Sequence, residues 1–173
     1  IMWTYLKPAI TGSVTDGGVI LSEGATQTWV GVLNGVYPIP ACIAAIFMTK
    51  LAERFGNKSV YATCLTFGAL GFAGLCLLTD KYALMLPMLC IGIAWAGILA
   101  MPYAILSRTV DPKRMGVYMG IFNFTITIPQ IVIGLTGGVI IKYCFGSNAV
   151  MMLALACVFM LLAAVSVAFI KER

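Results

Sequence analysis

An all-α integral membrane protein is the fold class this sequence predicts, and three observations predict it. Five apolar stretches, 28–49, 59–79, 82–106, 117–141 and 149–170, contain no Asp, Glu, Lys, Arg or His. Each is about 20 residues or longer, the length an α-helix rising about 1.5 Å per residue needs to cross a hydrocarbon core about 30 Å thick. Composition agrees: 61% of the 173 residues are hydrophobic and 10% are charged, with a mean hydropathy of +1.02. Average soluble domains carry about 25% charged residues. The charges also collect in short connections between the stretches, where a chain threading a bilayer must place them.

In chain order, residues 1–10 open mid-pattern with Trp3, Tyr5 and Leu6 and run into Lys7-Pro8. No charged n-region or cleavage site precedes them, so they read as the end of a sixth spanning helix rather than a signal peptide. Trp3, Tyr5 and Lys7 suit an interfacial anchor. Residues 11–27 are rich in Gly, Ser and Thr, carry Asp16 and Glu23, and read as an exposed connection. The 28–49 stretch contains Asn34, Tyr37, Pro38 and Pro40. Its two prolines remove two backbone donors, which predicts a kink or hinge. In 59–79, Gly68, Gly71 and Gly74 predict close helix packing, as do Ala154–Ala156 in 149–170. The 82–106 stretch supplies Trp95 and Tyr103, with Pro102 as a gate hinge and Pro87 as a kink, and Pro129 is a kink in 117–141.

Charge distribution gives a topology. Walking through the helices puts Lys50, Arg54, Lys58, Arg108, Lys113, Arg114, Lys171 and Arg173 on one side, and Lys7, Lys81 and Lys142 on the other. Lys and Arg near helix ends stay on the cytoplasmic face, so the richer side and the C-terminus are expected there. The same distribution argues against nucleic acid, since no basic face with interleaved aromatics is present. The six cysteines form no CxxC or CxxH spacing and there is no histidine, so they read as small packing residues and no metal or other cofactor is expected.

The loop Lys50-Leu51-Ala52-Glu53-Arg54-Phe55-Gly56-Asn57-Lys58-Ser59-Val60 resembles the loop signature of the major facilitator superfamily, G-x-L-A-D-R-x-G-R-K, with Glu53 at the acidic position. Lys50 replaces the leading Gly and Asn57 the first of the paired basic residues. Such weakening suits the family's second copy of the motif, between helices 8 and 9. The resemblance therefore implies a six-helix half of a twelve-helix fold, from the end of helix 7 through helix 12, with the N-terminal six-helix half as its missing partner. It also implies a gating role for Glu53, Arg54 and Lys58, through charge-assisted hydrogen bonds that hold neighbouring helices in one state. Met101-Pro102-Tyr103-Ala104-Ile105-Leu106, Gly116-Val117-Tyr118-Met119-Gly120-Ile121-Phe122-Asn123 and Ile128-Pro129-Gln130 are similar to the sucrose–proton symporter branch, as are Asp80-Lys81-Tyr82 and Gly92-Ile93-Ala94-Trp95-Ala96.

A substrate path is readable in the 117–141 helix. At about 100° per residue, Gly116, Met119, Asn123, Thr127, Gln130, Gly134 and Gly137 share one arc of about 80°. Such polar groups at membrane depth face the bundle interior, either lining a cavity or bonding across helices as glue. Asn34, Tyr37 and Trp95 are further candidate contacts, Trp95 offering a flat apolar face to the C–H face of a sugar ring. Pro102 and Tyr103 are candidate gate residues. The lack of intramembrane charge favours a neutral solute, and the resemblance to the sucrose–proton symporter branch implies that coupling protons are handled in the other half. The expectation is a proton-coupled carrier for sucrose or another glycoside, multi-pass in a plasma membrane of the bacterial inner-membrane type. Alternatives are a carrier for another small solute and a non-transporting fragment or assembly subunit. A membrane enzyme is not expected, because these helices offer no acid–base pair.

Overall fold

A computed structural model describes residues 6, 9–146 and 148–169. Among them, five helical spans are long and apolar enough to cross a membrane. Leu6 and Ala9–Ile10 are helical, and Leu6 is fully buried. Trp3, Tyr5, Lys7 and the charged tail, expected as anchors and topology markers, lie outside the described residues.

The exposed connection contains a β-hairpin. Strands β1 (Thr15–Asp16) and β2 (Val19–Ile20) pair antiparallel, Thr15 opposite Ile20 and Asp16 opposite Val19. Gly17 and Gly18 make the turn with φ of 58° and 89°. Two successive positive φ values are what a two-residue type I′ hairpin turn requires, and glycine reaches them without Cβ strain. Ser22 then caps α1 (Glu23–Val36), its Oγ accepting from the Ala25 N–H at 3.4 Å, with Glu23 in the first turn facing the positive end of the helix dipole. The helix thus starts five residues before the charge-free stretch does.

Helix α2 (Pro38–Phe55) follows α1 after Tyr37 alone. Tyr37 keeps right-handed helical angles, φ −62° and ψ −28°, so the chain is perturbed here without opening into a loop. Pro38 and Pro40 cannot donate, and the surviving bond from the Ala41 N–H to the Tyr37 carbonyl is stretched to 3.4 Å. Helix α2 runs through Lys50, Glu53 and Arg54 and ends at Gly56, where φ is 81°. Charge did not stop it; the left-handed glycine did.

Helix α3 (Asn57–Leu77) is the central element, packed against α4 (Met85–Thr109) and α6 (Val150–Phe169), while α2 leans on α4. Glycines set the α3–α4 approach. A Cβ on Gly71 would lie 2.6 Å from Ile91 Cγ1 and 2.9 Å from the Pro87 carbonyl oxygen, and one on Gly74 would lie 2.9 Å from Pro87 Cβ. Gly68 sits against both Ala94 and Met160, joining the three helices. Bilayers offer helices no hydrophobic drive toward each other, so such close approach supplies the dispersion contact that holds them. Pro87, expected to kink its helix, falls in the first turn of α4, where its missing N–H has no intrahelical partner to lose.

A short 3₁₀ turn (Pro112–Arg114) leads into α5 (Met115–Cys144), the longest helix. It meets the rest of the structure chiefly along α4 and is largely uncovered. Large apolar side chains such as Leu77, Leu135 and Phe169 stand exposed, as bilayer-facing residues do.

Candidate functional site

Helix α4 carries the residues around which the candidate site forms. Its packed side, including Ala94, Gly97 and Met101, is buried against α2 and α3. Trp95, Leu99, Pro102 and Tyr103 fall within about 100° of one another on the other side. Trp95 is 43% exposed and Tyr103 is half-buried.

Tyr103 reaches α5. Its hydroxyl donates to Asn123 Oδ1 at 2.8 Å, and its ring meets Phe122 edge-on, centroids 5.1 Å apart. A candidate gate residue and a candidate substrate contact are therefore one another's partners. Spanning helices joined by so short a turn must run antiparallel, so climbing α5 from Asn123 descends α4 from Tyr103. At equal rise per residue this register sets Thr127 level with Leu99 and Gln130 level with Ala96, next to Trp95. Thr127 and Gln130 are exposed, on the stripe predicted from the sequence.

The seam by which α5 touches α4 shares Met119 and Gly137 with that stripe but leaves its polar residues out. Met115, Met119, Phe122, Ile126, Ile133, Gly137, Ile140 and Ile141 are the covered positions of α5, centred about 70° round the helix from Asn123, Thr127 and Gln130. The polar stripe therefore flanks the seam and borders an open side. Asn123 alone bends back to bond across helices, while the hydroxyls of Thr125 and Thr136 turn onto carbonyls of their own helix, Ile121 and Val132.

The α1–α2 junction joins the same side of α4 one turn from Trp95. Gly92 abuts the Tyr37 carbonyl, and a Cβ there would lie 2.6 Å from Pro40 Cγ. Tyr37 is half-buried and has a partner, whereas Asn34 is exposed on α1. Along α4 the order is thus Tyr37 at Gly92, Trp95 beside the level of Gln130, then Tyr103 with Asn123. No ionisable acid or base lies in this series apart from tyrosine hydroxyls. Such a surface can bind through hydrogen bonds and aromatic faces but has nothing to pair with a charge.

The loop residues expected to gate lie elsewhere. Glu53 and Arg54 are exposed in the last turn of α2, with the Arg54 guanidinium 5.5 Å from the centroid of the Phe55 ring. Lys58 is half-buried in the first turn of α3 and has a partner. Asn57, where the resemblance would place a basic residue, has a buried Oδ1 with no hydrogen-bond partner.

A second polar cluster went unnoticed in the sequence. Lys81, between α3 and α4, pairs with Asp16 of the hairpin. The Thr15 N–H donates to the Thr79 carbonyl at 2.8 Å, and the Lys81 N–H to the Thr15 carbonyl at 3.0 Å. Trp29 Nε1 donates to the Lys81 carbonyl at 2.8 Å, its ring edge-on to Tyr82 at 5.8 Å, and the Lys81 ammonium lies 4.6 Å from the Tyr82 centroid. The Asp16 hydrogen bond, first among its causes, raises the Lys81 pKa above its ordinary value.

The described helices thus form a membrane bundle that presents an uncharged polar series along α4. The chain belongs to the Major Facilitator Superfamily, whose family model matches residues 3–173. It is thus a multi-pass membrane transporter chain. No curated protein and no solved structure matches it.

Proposed function

We propose that this chain is the C-terminal six-helix half of a proton-coupled carrier for a neutral sugar or glycoside of the sucrose kind. The observation that carries this reading is the charge-free polar series from Tyr37 past Trp95 and Gln130 to Tyr103 and Asn123. Sugars present hydroxyls to amide side chains and apolar ring faces to aromatics, and they need no counter-charge. Helices α1 to α6 correspond on this reading to helix 8, in two segments, and helices 9 to 12. An N-terminal half would cover the open sides of α1, α2 and α5 and supply the proton-binding carboxylate. The two halves would rock about the cleft in a plasma membrane of the bacterial inner-membrane type, with the C-terminus in the cytoplasm. Glu53, Arg54 and Lys58 would hold one of the two states at the cytoplasmic end, and Pro102 with Tyr103 would gate the cleft.

The test is uptake of labelled sucrose, maltose and glucose into vesicles bearing the full-length protein, with and without a proton gradient. Gradient-dependent uptake of at least one sugar is expected. Gln130→Ala should reduce it about tenfold, the value of one well-made hydrogen bond of roughly 1.4 kcal/mol. Uptake that ignores the gradient would sink the coupling, and unchanged uptake in Gln130→Ala would remove α5 from the site. Uptake of an uncharged non-sugar in place of all three sugars would favour a carrier for another neutral solute.

A further inference from the structure

Helices α2 and α3 splay apart beside the Gly56 turn and leave a groove of about 370 Å³. Phe47, Leu51 and Phe55 form one wall, Val60, Cys64 and Phe67 the other. Of the lining side chains only Ser59 and Thr63 carry hydroxyls, and Thr63 spends its donor on the Ser59 carbonyl at 2.8 Å. A sugar here would lose its hydrogen bonds to water and find almost none in return. The groove is chemically unlike the polar series along α4, and it suits a hydrocarbon chain.

Its mouth is charged. Arg54 lies over the ring of Phe55, which itself lines the groove, so the guanidinium stands at the lip. On the α2 helical wheel, Arg54 sits about 75° from the centre of the groove-lining residues, while Glu53 is turned nearly to the opposite side. Lys50, one turn back, adds a second positive charge on the Arg54 side. The turn joins two membrane spans, so this lip lies where phospholipid phosphates lie. From Ser59 to Phe67 the groove extends about 12 Å along α3, enough for the upper part of an acyl chain.

We propose that the α2–α3 groove binds an anionic phospholipid, its acyl chain along Phe47, Leu51 and Phe67 and its phosphate at Arg54. Positive charge at the mouth selects an anionic headgroup over a zwitterionic one, and the apolar walls fix the chain. The bound lipid fills a gap that would otherwise leave both walls short of contacts.

Phe67→Trp places a fluorescent reporter inside the groove. Full-length protein with this change is reconstituted in phosphatidylcholine vesicles containing a minor fraction of brominated-chain phosphatidylglycerol or, separately, brominated-chain phosphatidylcholine. Subtracting the parent protein's signal removes the native tryptophans. Quenching should report a preference for phosphatidylglycerol of about fivefold, the contribution of one basic residue near an anionic surface. Arg54→Gln should reduce the preference to about parity, and Arg54→Lys should retain most of it. Equal quenching by both lipids, or a preference that survives Arg54→Gln, overturns the proposal. Absence of quenching by either lipid also overturns it, since protein then covers the groove.

Discussion

Tyr103 does two things at once: it bonds Asn123 and it packs against Phe122. Because α5 is otherwise thinly attached, this pair is a large part of what fixes its position against α4. Tyr103→Phe keeps the ring and removes the donor; Asn123→Ala removes the acceptor. Interhelical hydrogen bonds in membranes are worth about 0.6 kcal/mol on average and up to about 1.7. Each change alone should therefore lower stability by about 1 kcal/mol, and the double variant should cost less than the two together by about 0.5–1.5 kcal/mol. Reversible unfolding in detergent measures the cycle; strict additivity would show that the bond contributes nothing. The stripe bearing Asn123 was legible from the sequence, because period 3.6 needs only one helix. Its partner was not. Which α4 residue faces Asn123 depends on the register between two helices, and the sequence of either alone does not encode that register locally.

Glycine has opposite meanings on two of these helices. On α4, Gly92 lies under the α1–α2 junction, and the atoms a side chain would meet include the Tyr37 backbone carbonyl and Pro40. Backbone and a proline ring yield little. On α5, Gly134 has nothing within 4 Å of an added Cβ. Gly92→Ala should accordingly cost about 1–3 kcal/mol, the usual range for overpacking, whereas Gly134→Ala should stay within about 0.5 kcal/mol of neutral. Unfolding midpoints of both variants check this, and a benign Gly92→Ala would mean that the junction does not rest on α4. The existence of the spans was readable from run length and hydropathy. Their ends were misplaced because charged residues were taken as boundaries. Lys50, Glu53 and Arg54 are good helix formers, and α2 simply continues through them to Gly56. At the other end, Ser22 and Glu23 are ordinary cap residues, legible in principle as the start of α1 but hidden by the Gly- and Thr-rich composition around them.

The molecule is tied at its hairpin end by contacts between distant segments. Asp16 is joined to Lys81 and Trp29 to the Lys81 carbonyl, so hairpin, α1 and the α3–α4 turn meet at one lysine. Sequence alone could not pair them, since the separations are 65 and 52 residues and nothing periodic connects them. The hairpin also presents backbone groups that extend pairing to Thr79 and Lys81, so it serves as a brace across the ends of the helices. In a rocking carrier such a brace would keep this end of the half moving as one body. Its pH response follows from the raised Lys81 pKa, caused first by the Asp16 hydrogen bond. A lysine whose folded pKa exceeds its unfolded value contributes fully below the unfolded pKa and loses that contribution as pH rises through the folded one. The ordinary value is 10.5, so the loss begins only above it. Unfolding midpoints of wild type and Lys81→Met should therefore differ by a constant amount in the neutral and mildly alkaline range. The difference should shrink once pH passes 10.5. Lys81 is partly covered but its partner Asp16 is exposed, so the constant difference will be small and reduced by salt. A difference that already fades between neutrality and the ordinary lysine value would mean that the pair is not what Lys81 contributes. The brace would then rest on the Trp29 bond and the strand pairing alone.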